Sequence, residues 1–392
     1  MLKVIAFYLP QFHSIPLNDQ VWGKGFTEWN SVKSAKPLFA QHDQPRVPEN
    51  NNYYNLLDEE TILWQTRLAK QNNVYGFCIY HYWFSGTLLL NKPLELLHNS
   101  KQIHFPYCIC WANESWKNAW TATDKPESFL EQKYGDKLEW KKHFDYLLQF
   151  FKDEDYIVEN NRPLLVIYRP ESIPNLNESL EYWNQLAREN GFDGIEYAYQ
   201  QIEFEQDPAS DDSKFTYSIE YQPRYALTDF ETEKEERLSV SKKMKRDLKA
   251  VIKKNCLKIA TKFFKRSTSK FVASHKQRAI SKGPKIYSYT SLMEKVIQRH
   301  ATSEKSVAGM FVGYDDTPRK SRRGMVMQSN PKLFREYLFK QAYNVKYHYQ
   351  NDYLFMFAWN EWGESGYLEP DEEYGKQYLS VIKDVVDQYE GL

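Results

Sequence analysis

Short apolar runs recur along the chain and alternate with longer amphipathic segments. The runs are rich in β-branched and aromatic residues, which is typical of buried strands. Strands that alternate with helices predict βαβ units and a parallel sheet. The predicted strands are Val4–Leu9, Gly76–Trp83, Pro106–Trp111, Leu164–Tyr168, Ile195–Tyr199, Phe215–Glu220, Gly309–Gly313 and Leu354–Trp359. The clearest predicted helices are Glu59–Gln71, Asp136–Phe151, Leu176–Asn190 and Pro331–Gln350.

About eight such units favour an α/β fold of the (β/α)8 TIM barrel type over an open sheet. The strand pattern is weakest in the fifth and sixth runs. We therefore expect one catalytic domain over residues 1–392, with a basic, partly helical insertion at 205–285 inside it.

Polar residues follow several of the predicted strands. Asn113 and Glu114 come after the third strand, Asp315 after the seventh, and Glu361 and Glu364 after the last. In a barrel of this type the catalytic residues gather at the carboxyl ends of the strands. The alternative is that strand ends are simply the places where the chain meets water.

Aromatic residues make up 16% of the chain, with 29 Tyr and 11 Trp. Sugars stack their C–H faces on such rings, although core packing explains most aromatic residues in any protein. The four cysteines, Cys78, Cys108, Cys110 and Cys256, lack the spacing of zinc or redox motifs and predict buried thiols in a reducing compartment. We expect no metal and no cofactor, since phosphate-loop and dinucleotide motifs are also missing.

The N-terminal run MLKVIAFYLPQF is too short for a signal peptide, and no stretch approaches the length of a membrane-spanning helix. These features predict a cytoplasmic protein. The stretch Lys242–Lys285 holds 16 Lys or Arg and one acidic residue, so it carries +15 while the rest of the chain carries −15. It predicts either a solvated insertion or peripheral contact with an anionic membrane at the inner face. Nucleic acid is not expected as a partner, because no reading motif accompanies the charge.

Glu361 and Glu364 are the candidates for catalysis. Cleaving a glycosidic bond requires two carboxyl groups in different protonation states, and a tight turn can bring side chains three residues apart to one side. Trp359 and Trp362 flank the pair, and aromatic walls would raise the pKa of one carboxyl. The alternative is a solvated turn that carries two glutamates.

Three further groups of residues are weaker candidates. Trp111, Asn113 and Glu114 could bind sugar by stacking and by hydrogen bonds. His81 is more often a structural histidine than a catalyst. Asp315 could cap a turn, or it could bind hydroxyl groups while Arg319 meets an anionic group.

Together these segments resemble the WbsX family of bacterial surface-polysaccharide biosynthesis proteins, which is similar to glycoside hydrolase family 99, the endo-alpha-mannosidase-like enzymes. The matching stretches are AFYLPQFH, WGKGFTEWNSVKSAKPLFAQHDQPRVP, YGFCIYHYWFSG, FPYCICWANESW, GYDDTPR and FAWNEWGESGYLEPDEEYG. They cover nearly the whole chain except residues 203–285.

The resemblance implies a (β/α)8 barrel, an oligosaccharide or lipid-linked glycan substrate, and a glycoside hydrolase or glycosyltransferase acting in O-antigen, lipopolysaccharide or capsule metabolism. It implies that Glu361 is the base that engages the sugar 2-hydroxyl and Glu364 the acid, in a retaining mechanism through a 1,2-anhydro sugar. The alternative is a non-catalytic glycan-binding or assembly protein, with the basic insertion as a membrane anchor. The implied substrate contacts are Tyr8, Trp29, His81, Tyr82, Trp111, Asn113, Glu114, Asp315, Trp359 and Trp362.

Overall fold

A computed structural model describes residues 1–117, 128–202, 210–230, 283–299 and 301–392. Eight parallel strands, each paired with the next in sequence, form a barrel that closes where the last strand pairs with the first. The strands are β1 (Lys3–Tyr8), β2 (Gly76–Phe84), β3 (Tyr107–Trp111), β4 (Arg162–Ile167), β5 (Glu196–Gln201), β6 (Tyr217–Glu220), β7 (Ser306–Phe311) and β8 (Tyr353–Phe357). All eight predicted strands overlap these, so the predicted barrel is confirmed.

Strands β3, β7 and β8 are buried on both faces, which explains why they are apolar runs without alternation. The barrel interior and the layer between strands and helices form one hydrophobic core. In β7 a glycine is required where two strands approach closely. A Cβ atom at Gly309 would lie 1.7 Å from the backbone oxygen of Glu220 in β6.

Helices cover the outside of the barrel. They begin where the sequence supplies caps: the carboxylate of Asp136 accepts hydrogen bonds from two backbone amides of the helix that follows it, and Asn330 accepts one before Pro331. The described helices include Pro16–Trp22, Glu28–Ser34, Glu59–Gln71, Lys92–Asn99, Lys137–Phe151, Leu176–Glu189, Tyr289–Gln298, Thr317–Lys320, Pro331–His348 and Gln377–Gln388. The four predicted helices are among them, with bounds shifted by at most two residues.

The loops contain short strands and 3-10 turns. The small strands are Thr87–Leu89, Trp116–Lys117, Ser128–Leu130, Val158–Glu159, Lys285–Ile286, Tyr314–Asp315, Met325–Met327, Asn360–Glu361 and Gly366–Tyr367. Single 3-10 turns occur at Glu49–Asn51, Pro170–Ser172, Ser321–Arg323, Trp362–Glu364 and Tyr389–Gly391.

Most of the predicted basic insertion lies outside the described residues. Within 205–285 the structure describes 210–230, which contain β6 and a helical segment at 224–230, and 283–285. The membrane contact of Lys242–Lys285 and the single-domain organisation therefore stay predictions. Cys78, Cys108 and Cys110 are buried free thiols as predicted, while Cys256 lies outside the described residues. None of the described helices has the length and apolarity needed to cross a bilayer.

Candidate active site

A cavity of about 740 Å³ opens at the carboxyl ends of the barrel strands. Its wall comes from the segments that follow β1, β3, β4, β6, β7 and β8, together with β2 itself. Pockets of this size accommodate small-molecule ligands, and this end of a (β/α)8 barrel is where active sites form. The lining residues include Trp22, Tyr80, Tyr82, Asn113, Glu114, Trp116, Phe129, Tyr134, Tyr168, Arg169, Tyr221, Arg224, Tyr314, Arg319, Lys320, Glu361 and Glu364.

Glu361 and Glu364 lie on one short turn after β8, and both line this cavity. Asn360–Glu361 pairs with Gly366–Tyr367, and the residues between them form a single 3-10 turn. The side chain of Asn360 holds the turn in place, since it accepts a 2.7 Å bond from the backbone N–H of Leu9 and donates a 3.0 Å bond to the carbonyl of the same residue. The turn is therefore fastened to the end of β1.

One arginine, Arg319, contacts both glutamates. Its Nη1 donates to Glu364 Oε1 at 2.6 Å and its Nη2 to Glu361 Oε2 at 3.1 Å. Its Nε donates to Glu28 Oε1 at 2.7 Å. The side chain of Arg319 is 8% exposed and that of Glu28 is fully buried. Burial disfavours the charge of Arg319, but the three carboxylates outweigh it and hold the pKa of Arg319 well above its usual value.

The turn that carries the pair requires glycine at Gly363. A Cβ atom there would lie 1.8 Å from Glu28 Oε1 and 2.8 Å from Arg319 Nε. The buried ion pair between Glu28 and Arg319 thus packs directly against the backbone between Glu361 and Glu364. This contact explains why the turn has a glycine at position 363.

The two carboxyl groups have different surroundings. The Glu361 side chain is 8% exposed and that of Glu364 is 21% exposed. Burial raises the pKa of Glu361 from 4.5 to about 8, although Arg319 opposes the change. A carboxyl group that holds its proton at neutral pH can donate it to a leaving oxygen. The raised pKa of Glu361 suits the acid role in such chemistry, whereas the resemblance implies the role of base.

Comparison with known proteins defines the family. The sequence profile described as "Glycosyltransferase WbsX" matches residues 4–382. The chain belongs to the WbsX glycosyltransferase family. Two curated relatives, both "Uncharacterized protein WxcX" from strains of Xanthomonas campestris pv. campestris, are 30% identical over 390 residues, which is 97% of this chain and 49% of theirs. The chain thus spans about half the length of these relatives.

Solved structures support the fold. The chain resembles the "GH99 endo-alpha-mannosidase from Bacteroides thetaiotaomicron", with a TM-score of 0.54 and 13% identity over 99% of this chain and 97% of that one. It also resembles a "Glycoside hydrolase-like protein", with a TM-score of 0.57 and 10% identity over 98% and 93% of the two chains. At this identity the likeness shows a shared barrel. The sequence profile thus shows the family, and the solved structures add that the barrel is shared.

Three of the predicted contact residues of this WbsX protein line the cavity: Tyr82, Asn113 and Glu114. Asn113 uses its amide to hold the end of β4, since it accepts from the backbone N–H of Arg169 at 2.8 Å and donates to the carbonyl of that residue at 2.7 Å. Glu114 accepts a 2.7 Å bond from Arg169 Nε. Burial, followed by the charge of Glu361, raises the pKa of Tyr82, so its hydroxyl keeps its proton.

Three other predicted contacts form a buried network behind the turn that carries Glu361 and Glu364. Trp362 donates from Nε1 to Glu369 Oε2 at 2.6 Å, and its ring lies 5.5 Å from that of Trp29. Tyr8 donates to Gln65, whose Nε2 donates to Glu369 Oε1 at 2.7 Å. The buried carboxylate of Glu369 therefore anchors the tryptophan between the two candidate glutamates. Burial raises the pKa of Glu369 to about 7, against the effect of these donors.

The remaining predicted contacts also lie away from the cavity. His81 pairs with His143 at 2.9 Å between the two Nε2 atoms, and Trp111 packs 4.8 Å from His143. Burial lowers the pKa of His81 to about 3, so its ring is neutral, as in a structural histidine. Trp359 is buried against Phe77. Sugar contact at these positions stays a prediction, while the structure gives them packing roles.

Asp315 stabilises a turn, which is one of the two roles that the sequence allowed. Its Oδ1 accepts from the backbone N–H of Thr317 at 2.9 Å, and its Oδ2 accepts from Gln44 at 2.7 Å and contacts His42 at 2.8 Å. Burial raises the pKa of Asp315, but these bonds outweigh burial and lower it overall. Asp315 therefore holds the loop that carries Arg319.

Several functional candidates escaped the sequence analysis. Glu28 was not singled out, and Arg319 was considered only as a partner for an anionic group. Tyrosines at or after the carboxyl ends of four strands line the cavity, namely Tyr80, Tyr168, Tyr221 and Tyr314. Their position at strand ends was the available signal, the same one that indicated Asn113 and Glu361.

Among the described residues, one group has the ligand types and spacing to hold a metal ion: His104, Glu154 and Asp155. His104 Nδ1 lies 3.1 Å from Asp155 Oδ2 and 3.6 Å from Glu154 Oε1. The group precedes β3 and β4, so it lies at the opposite end of the barrel from the cavity. Its His104 and Glu154 side chains are exposed, and water solvates them.

Proposed function

We propose that this WbsX protein cleaves or transfers glycosidic bonds in bacterial cell-surface polysaccharide metabolism, with Glu361 and Glu364 as its catalytic pair. One observation carries the proposal: both carboxyl groups face the same cavity and bind the same buried arginine. The tyrosines and tryptophans of the wall supply stacking faces and hydroxyl donors that suit a glycan.

The chemistry requires one group that accepts a proton and one that donates it. In the retaining route implied by the resemblance, the base takes the proton of the sugar 2-hydroxyl while O2 forms a bond to C1. The bond between C1 and the leaving oxygen breaks, and the acid gives that oxygen its proton. Water or a sugar hydroxyl then attacks C1 and gives its proton to the deprotonated acid, the C1–O2 bond breaks, and the protonated base returns its proton to O2. Hydrolysis and transfer thus differ only in the acceptor.

Arg319 fits this route as the residue that positions both carboxyl groups. A planar guanidinium with donors on three sides fixes the separation and orientation of the carboxylates that it binds. The two carboxyl groups are unequal because Glu361 is more deeply buried than Glu364, and Arg319 opposes the effect of burial on the pKa of Glu361. The resemblance gives Glu364 the acid role, and the pKa of Glu361 favours the reverse. The experiment below separates the two assignments.

The test uses Glu361→Gln and Glu364→Gln, assayed on bacterial surface polysaccharides and on their lipid diphosphate-linked fragments. Loss of either group should reduce the turnover number by roughly 10²–10⁴-fold while glycan binding stays measurable. Glu60→Gln, on an exposed helix surface, is the matched control. Products formed in water and with added sugar acceptors distinguish hydrolysis from transfer.

Substrates with an activated aryl leaving group assign the roles. Such a leaving group needs no protonation, so the acid variant should recover its rate and the base variant should not. A variant that keeps the full rate on the natural glycan would remove its residue from the pair. Binding without conversion across the whole panel would instead support a glycan-binding or assembly protein on the same barrel.

A further inference from the structure

The cavity wall contains more cationic than anionic side chains. The cationic residues are Lys117, Arg169, Arg224, Arg319 and Lys320, and the acidic ones are Glu114, Glu361 and Glu364. Three of the cations have carboxylate partners: Arg319 binds both catalytic candidates, Arg169 binds Glu114, and Lys320 binds Asp316 at 2.7 Å. Lys117 is exposed, so water solvates its charge.

Arg224 is the exception. Its side chain lines the cavity and is half-buried, at the start of the helical segment 224–230 that follows β6. Within the described ranges of the chain, its guanidinium has neither a hydrogen bond nor a carboxylate within 4.0 Å. A guanidinium in a concave, partly dry wall is costly unless an anion neutralises it. This residue is therefore poised for an anionic ligand.

Arg224 lines the same cavity as Glu361 and Glu364. Burial raises the pKa values of Tyr168 and Tyr314, the charge of Glu364 raises them further, and the charge of Arg224 opposes the rise. A ligand bound by Arg224 would therefore lie in the cavity that holds the candidate catalytic pair.

Tyr168 supplies a second donor. Its ring lines the cavity, and within the described part of the chain its hydroxyl makes no hydrogen bond. Its raised pKa keeps the hydroxyl protonated at neutral pH. A guanidinium and a phenol hydroxyl on one wall form a receptor for the oxygens of a carboxylate or phosphate group.

We propose that the glycan substrate carries an oxyanion group, a carboxylate or a phosphate, that Arg224 and Tyr168 bind in the cavity lined by Glu361 and Glu364. This inference rests on the proposed function, and it adds the substrate class: an acidic or phosphorylated sugar rather than a neutral one. A carboxylate would belong to a uronic acid unit. A phosphate would belong to a glycosyl phosphate or a lipid-linked diphosphate.

Binding measurements with the full chain test the subsite. The probes are glucose as the neutral reference, glucuronic acid for the carboxylate source, glucose 1-phosphate for the phosphate source, and inorganic phosphate alone. Calorimetry should show at least one anionic sugar binding about tenfold or more tightly than glucose, because charge-assisted hydrogen bonds are the strong ones. The anion that gains this affinity identifies the source.

Variants separate the subsite from general effects. Arg224→Met should reduce the affinity for the anionic sugar by about tenfold or more without weakening glucose binding, and Arg224→Lys should retain part of the gain. Tyr168→Phe should cause a smaller loss, since it removes one neutral donor. Arg188→Met is the matched control, because Arg188 pairs with Glu181 on an exposed helix face. Circular dichroism confirms that each variant folds.

Two outcomes would overturn the subsite: equal affinity of the parent protein for glucose and for all anionic probes, or unchanged affinity in Arg224→Met. Failure of the proposed function has a different signature. If Glu361→Gln and Glu364→Gln kept full turnover while Arg224→Met still lost anion affinity, the subsite would stand without the catalytic pair. If the anion affinity were absent but both glutamine variants lost turnover, the catalytic pair would stand without the subsite.

Discussion

Replacing Glu361 by glutamine removes one buried ionisation while it preserves the size and shape of the side chain. In the folded chain, burial raises the pKa of this carboxyl from 4.5 to about 8, with Arg319 acting in the opposite direction. The unfolded chain exposes the same carboxyl to water, where it ionises near the lower value. The stability of the parent protein must therefore depend on pH through this residue, and that of Glu361→Gln must not.

The sign and the size follow from proton linkage. Between the two pKa values, the folded chain holds a proton on Glu361 that the unfolded chain has lost, so raising the pH favours unfolding. The stability cost is absent below about pH 4.5 and is complete above about pH 8. Each pKa unit corresponds to about 1.4 kcal/mol, so the full cost is roughly 5 kcal/mol at most. As the pH rises, the free energy of unfolding of Glu361→Gln should increase relative to that of the parent protein by up to this amount.

Urea denaturation followed by tryptophan fluorescence measures the difference, because urea is uncharged and leaves the ionic strength unchanged. The free energy of unfolding is compared for parent and variant at about pH 5, 7 and 9 and constant ionic strength. Glu60→Gln, whose side chain is exposed, is the control and should differ from the parent by the same small amount at every pH. A Glu361→Gln difference that is independent of pH, or that grows toward acid, would refute the reasoning.

Two further substitutions test the contacts around the turn. Gly363→Ala places a methyl group against the buried pair of Glu28 and Arg319, so we expect the pair to break, at a cost of about 3–5 kcal/mol in urea denaturation. Gly391→Ala, where a Cβ meets nothing within 4 Å, is its control, and equal effects at both glycines would contradict the packing argument. Glu369→Met removes the acceptor of three buried donors, so the unfolding free energy should fall by about 3 kcal/mol or more; an unchanged denaturation midpoint would show that the network contributes nothing.

The barrel could be predicted from the sequence because strands that are buried on both faces are recognisable as apolar runs. Strands such as Tyr107–Trp111 are continuous apolar runs, and helices such as Glu59–Gln71 have regular apolar spacing and polar flanks. Between β3 and β4 the sequence also shows the helix cap, Asp136, one residue before the helix Lys137–Phe151. These signals are local, so each could be recognised without knowledge of the rest of the chain.

The site was only partly predictable, because its contacts are not local. The turn with Glu361 and Glu364 follows directly from its position after the last strand. A matching motif does not show which way a side chain points. Tyr8 and Trp362 are predicted as substrate contacts, and the structure shows that they donate to the buried network behind the turn. Glu28 has no local pattern at all, since its partner is 291 residues away.

Closure of the barrel is what assembles the candidate catalytic cluster. Glu28 follows β1, Arg319 follows β7, and Glu361 follows β8. In the closed barrel β8 lies between β7 and β1 and pairs with both, so the three loops are neighbours. In an open sheet in sequence order, β1 and β8 would lie at opposite edges, and the carboxylate of Glu28 could not reach Arg319. The contact between them thus ties the first loop of the chain to its last, and the geometry of the proposed chemistry depends on the topology that the alternating strands and helices predict.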